Sequence, residues 1–211
     1  MARRFTAGAY PTHVYLSVEC ADRLSLAQVA HVLRSERARQ AESADWTALD
    51  LRSSLHISLC RSAPVDVQYC ATLEAELRSL ARTLWTAGGD ESGDDELLKV
   101  SACASKYLMS ADGDRAFLTL LVDQDSAGGR KVRQWIAGVD RVFAQFGLAP
   151  YHENPLPHVS IAVTNSAPAD DDDEVGDDDG RPLANAVSFR VVALTIVSGA
   201  QTVQVTPDEQ R

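Results

Sequence analysis

No CxxC pair occurs among the four cysteines, Cys20, Cys60, Cys70 and Cys103, and their spacing is wide and uneven. Neither a zinc ribbon nor a disulfide framework is expected, and a reducing compartment is the default. No apolar run approaches the length that spans a bilayer, so no membrane partner is expected. The opening MARRFTAGAY carries two arginines but no apolar stretch of signal-peptide length. No repeat occurs at solenoid spacing. Basic residues are also outnumbered: 20 Lys and Arg face 30 Asp and Glu, a formal charge of −10. Evenly spread, that charge would argue against a nucleic-acid partner.

It is not evenly spread. Residues 170–179 read DDDDEVGDDD and residues 90–96 read DESGDDE, thirteen acids without a base. The rest of the chain holds seventeen acids against twenty bases. Both stretches are too polar to offset the entropy of ordering themselves, so mobile surface loops are expected at about 86–96 and 166–182. The remaining chain reads as one domain, residues 1–211, long enough to bury a core.

Residues 13–19 (HVYLSVE) are rich in β-formers and predict a strand. Between residues 25 and 42, Leu26, Val29, Ala30 and Leu33 recur at helical spacing. Residues 55–60 (LHISLC) alternate as a half-buried strand does. Asp66 is a candidate N-cap for a helix with Val67, Cys70, Leu73, Leu77, Leu80 and Leu84 on one face. Residues 97–108 and 116–122 predict two strands around a turn at 111–114. Gly128 and Gly129 precede an amphipathic helix with Val132, Trp135, Ile136, Val139, Val142, Phe143 and Phe146 on its apolar face, and Gly147 stands at its C′ position. Residues 158–163 (HVSIAV) alternate again, and 186–198 with 202–206 predict a closing hairpin. This mixed order favours an α+β fold of antiparallel sheets.

Two strands share one pattern, Leu55-His56-Ile57-Ser58-Leu59 and Pro157-His158-Val159-Ser160-Ile161. Side chains on a strand alternate between faces, so each strand presents an imidazole beside a hydroxyl and buries an aliphatic row. With serine at roughly one residue in fifteen, two His-x-Ser pairs among five histidines arise by chance in about one sequence in twenty. Two imidazoles and two hydroxyls suit transesterification at a phosphodiester. A neutral His removes a 2′-hydroxyl proton and a protonated His supplies one to the departing 5′-oxygen. Hydroxyl donors stabilise charge on the non-bridging oxygens. No metal or other cofactor is needed, and no third ligand sits at metal spacing beside either motif.

These residues resemble the 2H phosphoesterase superfamily, whose signature is a pair of His-x-Ser/Thr strands. THVYL at 12–16, LHISL at 55–59, VDRVFAQFGL at 139–148, PLPHVSIAV at 155–163 and the closing strands around VSGAQ are similar to one branch. That branch is the phosphodiesterase that trims the 3′ end of U6 spliceosomal small nuclear RNA. The resemblance implies two lobes related by a pseudo-twofold, with antiparallel sheets, flanking helices and a central groove for RNA. It implies a metal-independent 3′-to-5′ exoribonuclease acting on a uridine-rich tail in the nucleus, leaving a 2′,3′-cyclic phosphate, or a 3′-phosphate after opening. A monomer is expected. The catalytic histidines carry over to His56 and His158 and the phosphate-contacting serines to Ser58 and Ser160. His158 is assigned as base and His56 as acid. Family members stack the terminal base on an aromatic shortly before the second motif; here His152 occupies that position with Tyr151 next to it, so both are candidates. Alternatives are a cyclic phosphodiesterase acting on small nucleotides or ligated RNA ends, and a non-catalytic RNA-binding module. His13 is expected to be structural and His31 partly exposed or packed. Trp46, Trp85 and Trp135 are expected in the core or between lobes.

Overall fold

The structure is a computed structural model in which residues 8–39, 46–51, 55–86, 98–110, 113–165 and 180–208 are described. Strand β1 (Ala9–Cys20) buries Val14, Leu16 and Val18 on one face and leaves His13, Tyr15 and Ser17 half-buried on the other. This is the period-two alternation of a sheet covered on one side. Helix α1 (Arg23–Arg39) follows, started by Asp22, whose Oδ1 accepts the Ser25 N–H at 2.7 Å. Strand β2 (Thr47–Ala48) is a short edge piece. Strand β3 (His56–Ser58) and strand β4 (Ala63–Asp66) lead into α2 (Val67–Thr86).

Asp66 caps α2 as expected, its Oδ1 accepting the Gln68 N–H at 3.2 Å. Val67 departs from the expected apolar face and stands exposed. Its N–H still donates to the Gly8 carbonyl at 2.9 Å, so it occupies the corner between strand and helix. Leu73, Leu77 and Ala81 form the buried stripe.

Strand β5 (Lys99–Met109) and strand β6 (Ala116–Val122) make a hairpin. Residues 111 and 112 of the expected turn lie outside the described residues. Helix α3 (Ala127–Gln145) begins before the glycine pair, because Ser126 caps it and accepts the Gly129 N–H at 2.9 Å. Gly128 and Gly129 are packing residues. A Cβ at Gly128 would stand 2.0 Å from the Lys99 carbonyl oxygen, and one at Gly129 2.0 Å from that of Asp123. Gly147, at φ +69°, ends the helix, with the Leu148 N–H returning to the Phe143 carbonyl at 3.1 Å. Trp135 is buried and meets Trp85 edge-on at 4.9 Å, and Trp46 stacks on Tyr107 at 5.3 Å. His31 is exposed.

Strand β7 (His158–Thr164), strand β8 (Arg181–Ser198) and strand β9 (Gln201–Val205) complete the fold. All pairings are antiparallel, in the order β2-β7-β6-β5-β8-β1-β3, with β4 also on β1 and β9 also on β8. Strand β8 starts earlier than its sequence predicts, because Arg181 and Pro182 pair with Ser105 and Ala104. Its first part pairs with β5 through Arg190, and its second pairs with β1 from Phe189 to Ser198. One strand thus joins the part of the sheet that carries β7 to the part that carries β3. Most of the two acidic stretches lies outside the described residues, but α2 runs through Thr86 and β8 begins at Arg181, inside the expected loop limits.

Candidate active site

The strand order sets β7 near one end of the sheet and β3 at the other, yet β3 and β7 lie against each other in space. The curl of the sheet brings together two motifs that are about 100 residues apart in the chain.

Strand β3 is only three residues long and is pinned at both ends. Val18 N–H donates to the Leu55 carbonyl at 3.0 Å, and Leu59 N–H donates to the Val14 carbonyl at 2.9 Å. The buried Cys60 thiol accepts the Val14 N–H at 3.1 Å. Ile57 points into the core, which sets His56 and Ser58 half-buried on the opposite face. The register pairs Tyr15 with Ser58 and Ser17 with His56. Directly paired residues share a face, so the half-buried row of β1 flanks the first motif. The His56 ring lies 4.8 Å from Tyr15 and 6.0 Å, edge-on, from His13.

In β7, Val159 and Ile161 are buried while His158 and Ser160 are half-buried on the other face. Pro157 holds the preceding Leu156 extended. The Leu156 carbonyl then accepts the His158 Nδ1–H at 2.8 Å. A carbonyl cannot donate, so Nδ1 carries the proton and the neutral ring offers its lone pair at Nε2. Burial lowers the His158 pKa, and the His56 and His152 imidazoles act in the same direction against the Leu156 hydrogen bond.

The approach to β7 contributes a second group of side chains. Asp140 of α3 accepts the Tyr151 backbone N–H at 2.8 Å, anchoring the segment. Burial raises the Asp140 pKa, while this hydrogen bond opposes the rise. Tyr151 is 7% exposed, and the Ser58 hydroxyl near its phenol acts to lower the phenol pKa. Burial, with the Cys60 thiol nearby, pushes that phenol up to about 12. His152 is exposed, and its Nδ1 accepts from Arg61 at 2.6 Å. Burial and the Arg61 charge lower the His152 pKa, against Asp140.

The structure therefore brings together His56, Ser58, His158, Tyr151 and His152. It adds residues that the sequence reading did not select: Tyr15, Arg61 and, most directly, His13. His13 Nε2 stands 3.2 Å from Ser58 Oγ. Burial, reinforced by the His56 charge, lowers its pKa to about 4. Its expected role is structural, and the structure sets it beside Ser58 and His56. The available signal was the alternation of THVYL, which sets His13 and Tyr15 on one face. Among the described residues, no group of three His, Cys, Asp or Glu side chains is placed to hold a metal ion.

The antiparallel sheet with its flanking helices is the α+β fold expected from the sequence, and solved structures share it. Kluyveromyces marxianus Usb1, in a structure with uridine monophosphate, superposes with a TM-score of 0.62 at 16% identity, covering 92% of this chain and 97% of that one. A second structure of the same protein gives 0.61 at 15% identity, with 92% and 97% coverage. The chain belongs to the family described as HVSL, an uncharacterised conserved protein, whose model matches residues 2–205. It is also similar to U6 snRNA phosphodiesterase 1 of Dictyostelium discoideum, 23% identical over 171 residues, which cover 80% of this chain. The chain spans 56% of the length of that curated relative.

Proposed function

We propose that this protein is an RNA phosphodiesterase that shortens a uridine-rich 3′ end, one residue at a time, without a metal ion. The observation that carries this reading is the meeting of two His-x-Ser strands, with His158 held by Leu156 in the tautomer a base at Nε2 needs. His158 Nε2 takes the proton of the penultimate 2′-hydroxyl. That oxygen bonds to the adjacent phosphorus, and the bond from phosphorus to the terminal 5′-oxygen breaks. His56 gives the leaving oxygen its proton. Ser58 and Ser160 donate to the non-bridging oxygens as their charge grows. The first turnover gives a terminal nucleoside and an RNA ending in a 2′,3′-cyclic phosphate; each later turnover releases a nucleotide that carries the terminal phosphate left by the one before and forms a new cyclic end.

The RNA runs through the groove between the two halves joined by β8. The exposed His152 ring takes the terminal base, because stacking needs an open π face and the Tyr151 ring is buried. The name of the curated relative supports U6 small nuclear RNA as the substrate and the nucleus as the location.

The deciding experiment is end-group analysis of a uridine-tailed RNA incubated with the protein in EDTA. Stepwise shortening to cyclic-phosphate ends is expected, together with a block by a single 2′-deoxy sugar at the penultimate position. Activity lost on chelation and restored by metal overturns the metal-free mechanism. Opening of a 2′,3′-cyclic mononucleotide without shortening of the RNA moves the reading to small cyclic nucleotides.

A further inference from the structure

Ser58 is surrounded more closely than a phosphate-contacting serine needs to be. His13 Nε2 stands 3.2 Å from its oxygen, and the Tyr151 phenol lies close to it from the β7 side. A serine hydroxyl has one proton and two acceptor positions. If the serine gave its proton to either neighbour, none would remain for a phosphate. We infer that His13 is a positioning residue: with its proton on Nε2 it donates to Ser58 Oγ, so that the serine's single proton is turned toward the phosphate.

Three features support this arrangement. Tyr151, near Ser58, keeps its phenolic proton throughout the neutral range, since burial pushes its pKa up to about 12, so no phenolate stands there to draw the serine's proton. His13 is neutral there too, so it presents one N–H donor without adding a second cation beside His56. The geometry also fixes the side of approach: His13 and Tyr15 come from β1, Tyr151 comes from the segment before β7, and His56 shares the serine's own face of β3. The site thus holds an imidazole with no proton-transfer duty, whose task is to direct a hydroxyl. The inference rests on the phosphodiesterase reading for the identity of the anion that Ser58 meets.

Two measurements test it. The first is nitrogen-15 NMR of the imidazole rings in the wild-type protein at pH 7. A neutral His13 protonated at Nε2 is expected. An Nδ1–H tautomer, or a charged ring, overturns the inference. This measurement needs no substrate, so it decides the matter even if uridine-tailed RNA is not cleaved and the RNA reading fails. The second is a kinetic cycle on uridine-tailed RNA. His13→Ala should lower kcat about tenfold with KM changed less than about twofold, since a misdirected donor costs less than a missing one. His13→Gln, which keeps an N–H at similar reach, should recover most of the loss. In a Ser58→Ala background His13→Ala should cost nothing more, because its target is gone. Equal losses in both backgrounds would show a structural effect and overturn the inference. Should His13→Ala fail to fold, His13→Phe, which keeps a ring of similar reach without an N–H, gives the same test in the same two backgrounds.

Discussion

The two ends of the sheet carry the same His-x-Ser pattern in different settings. At β7 the motif lies in a seven-residue strand between β6 and β2, and its histidine is tied to the carbonyl two residues before it. At β3 the motif fills a three-residue strand on the edge of β1, and the serine is the residue that other side chains surround. On the proposed mechanism, one end supports a base and the other supports a hydroxyl. A symmetric pair of motifs then takes an asymmetric pair of roles through its neighbours, since burial lowers the His158 pKa and Leu156 holds its Nδ1–H.

The largest effect expected on this contrast comes from the histidines. His56→Ala and His158→Ala should each cost about 10³-fold or more in RNA cleavage, while binding of the RNA, read by filter retention, persists. Near wild-type turnover in either variant would remove that residue from the mechanism. The serines come next. Ser58→Ala and Ser160→Ala should each cost about 10²-fold in kcat, the scale of a lost transition-state donor.

Acid should expose the same contrast through stability. His13 and His158 are bases whose folded pKa lies below the unfolded value of about 6.5. Between the two values the unfolded chain binds more protons, so stability rises with pH in that window. The contribution of His13 is complete above about pH 6.5 and is lost as pH falls to about 4. Thermal melting at pH 5 and pH 7.5 should show a smaller difference for His13→Gln than for wild type. The smallest effect belongs to Arg61. It is exposed and bonds to His152, so Arg61→Ala should raise KM about two- to fivefold with little change in kcat.

The alternation around His56 and His158 was legible in the sequence because it is local, and the structure keeps each His and Ser on the face that the period assigns. The buried stripe of α3 and the role of Gly147 were legible for the same reason. His13 was not singled out: one histidine at a strand start carries no sign of its partner, and Ser58 is 45 residues away. Strands β2 and β4 are two and four residues long, too short for a period to show. The early start of β8 was hidden as well, because Pro182 is a poor strand former and is placed in the strand by its pairing with Ala104 of β5. The glycine pair 128–129 looked like a breaker before a helix, and its purpose became clear only with the Lys99 and Asp123 carbonyls against it.

The 18-residue strand β8 also has a bearing on how the chain folds. Its pairing with β1 closes Thr12 onto Ser198, an interval of 186 residues, and its pairing with β5 reaches back from Arg190 to Lys99. Contacts of such long range must overcome a large loop-closure entropy before they give anything back, and chains that depend on them fold slowly. While the chain is being synthesised, β1 and β5 each wait with an unpaired edge until β8 emerges. Assembly of the site is therefore a late event, and an exposed strand edge during that interval is where aggregation of the nascent chain would begin.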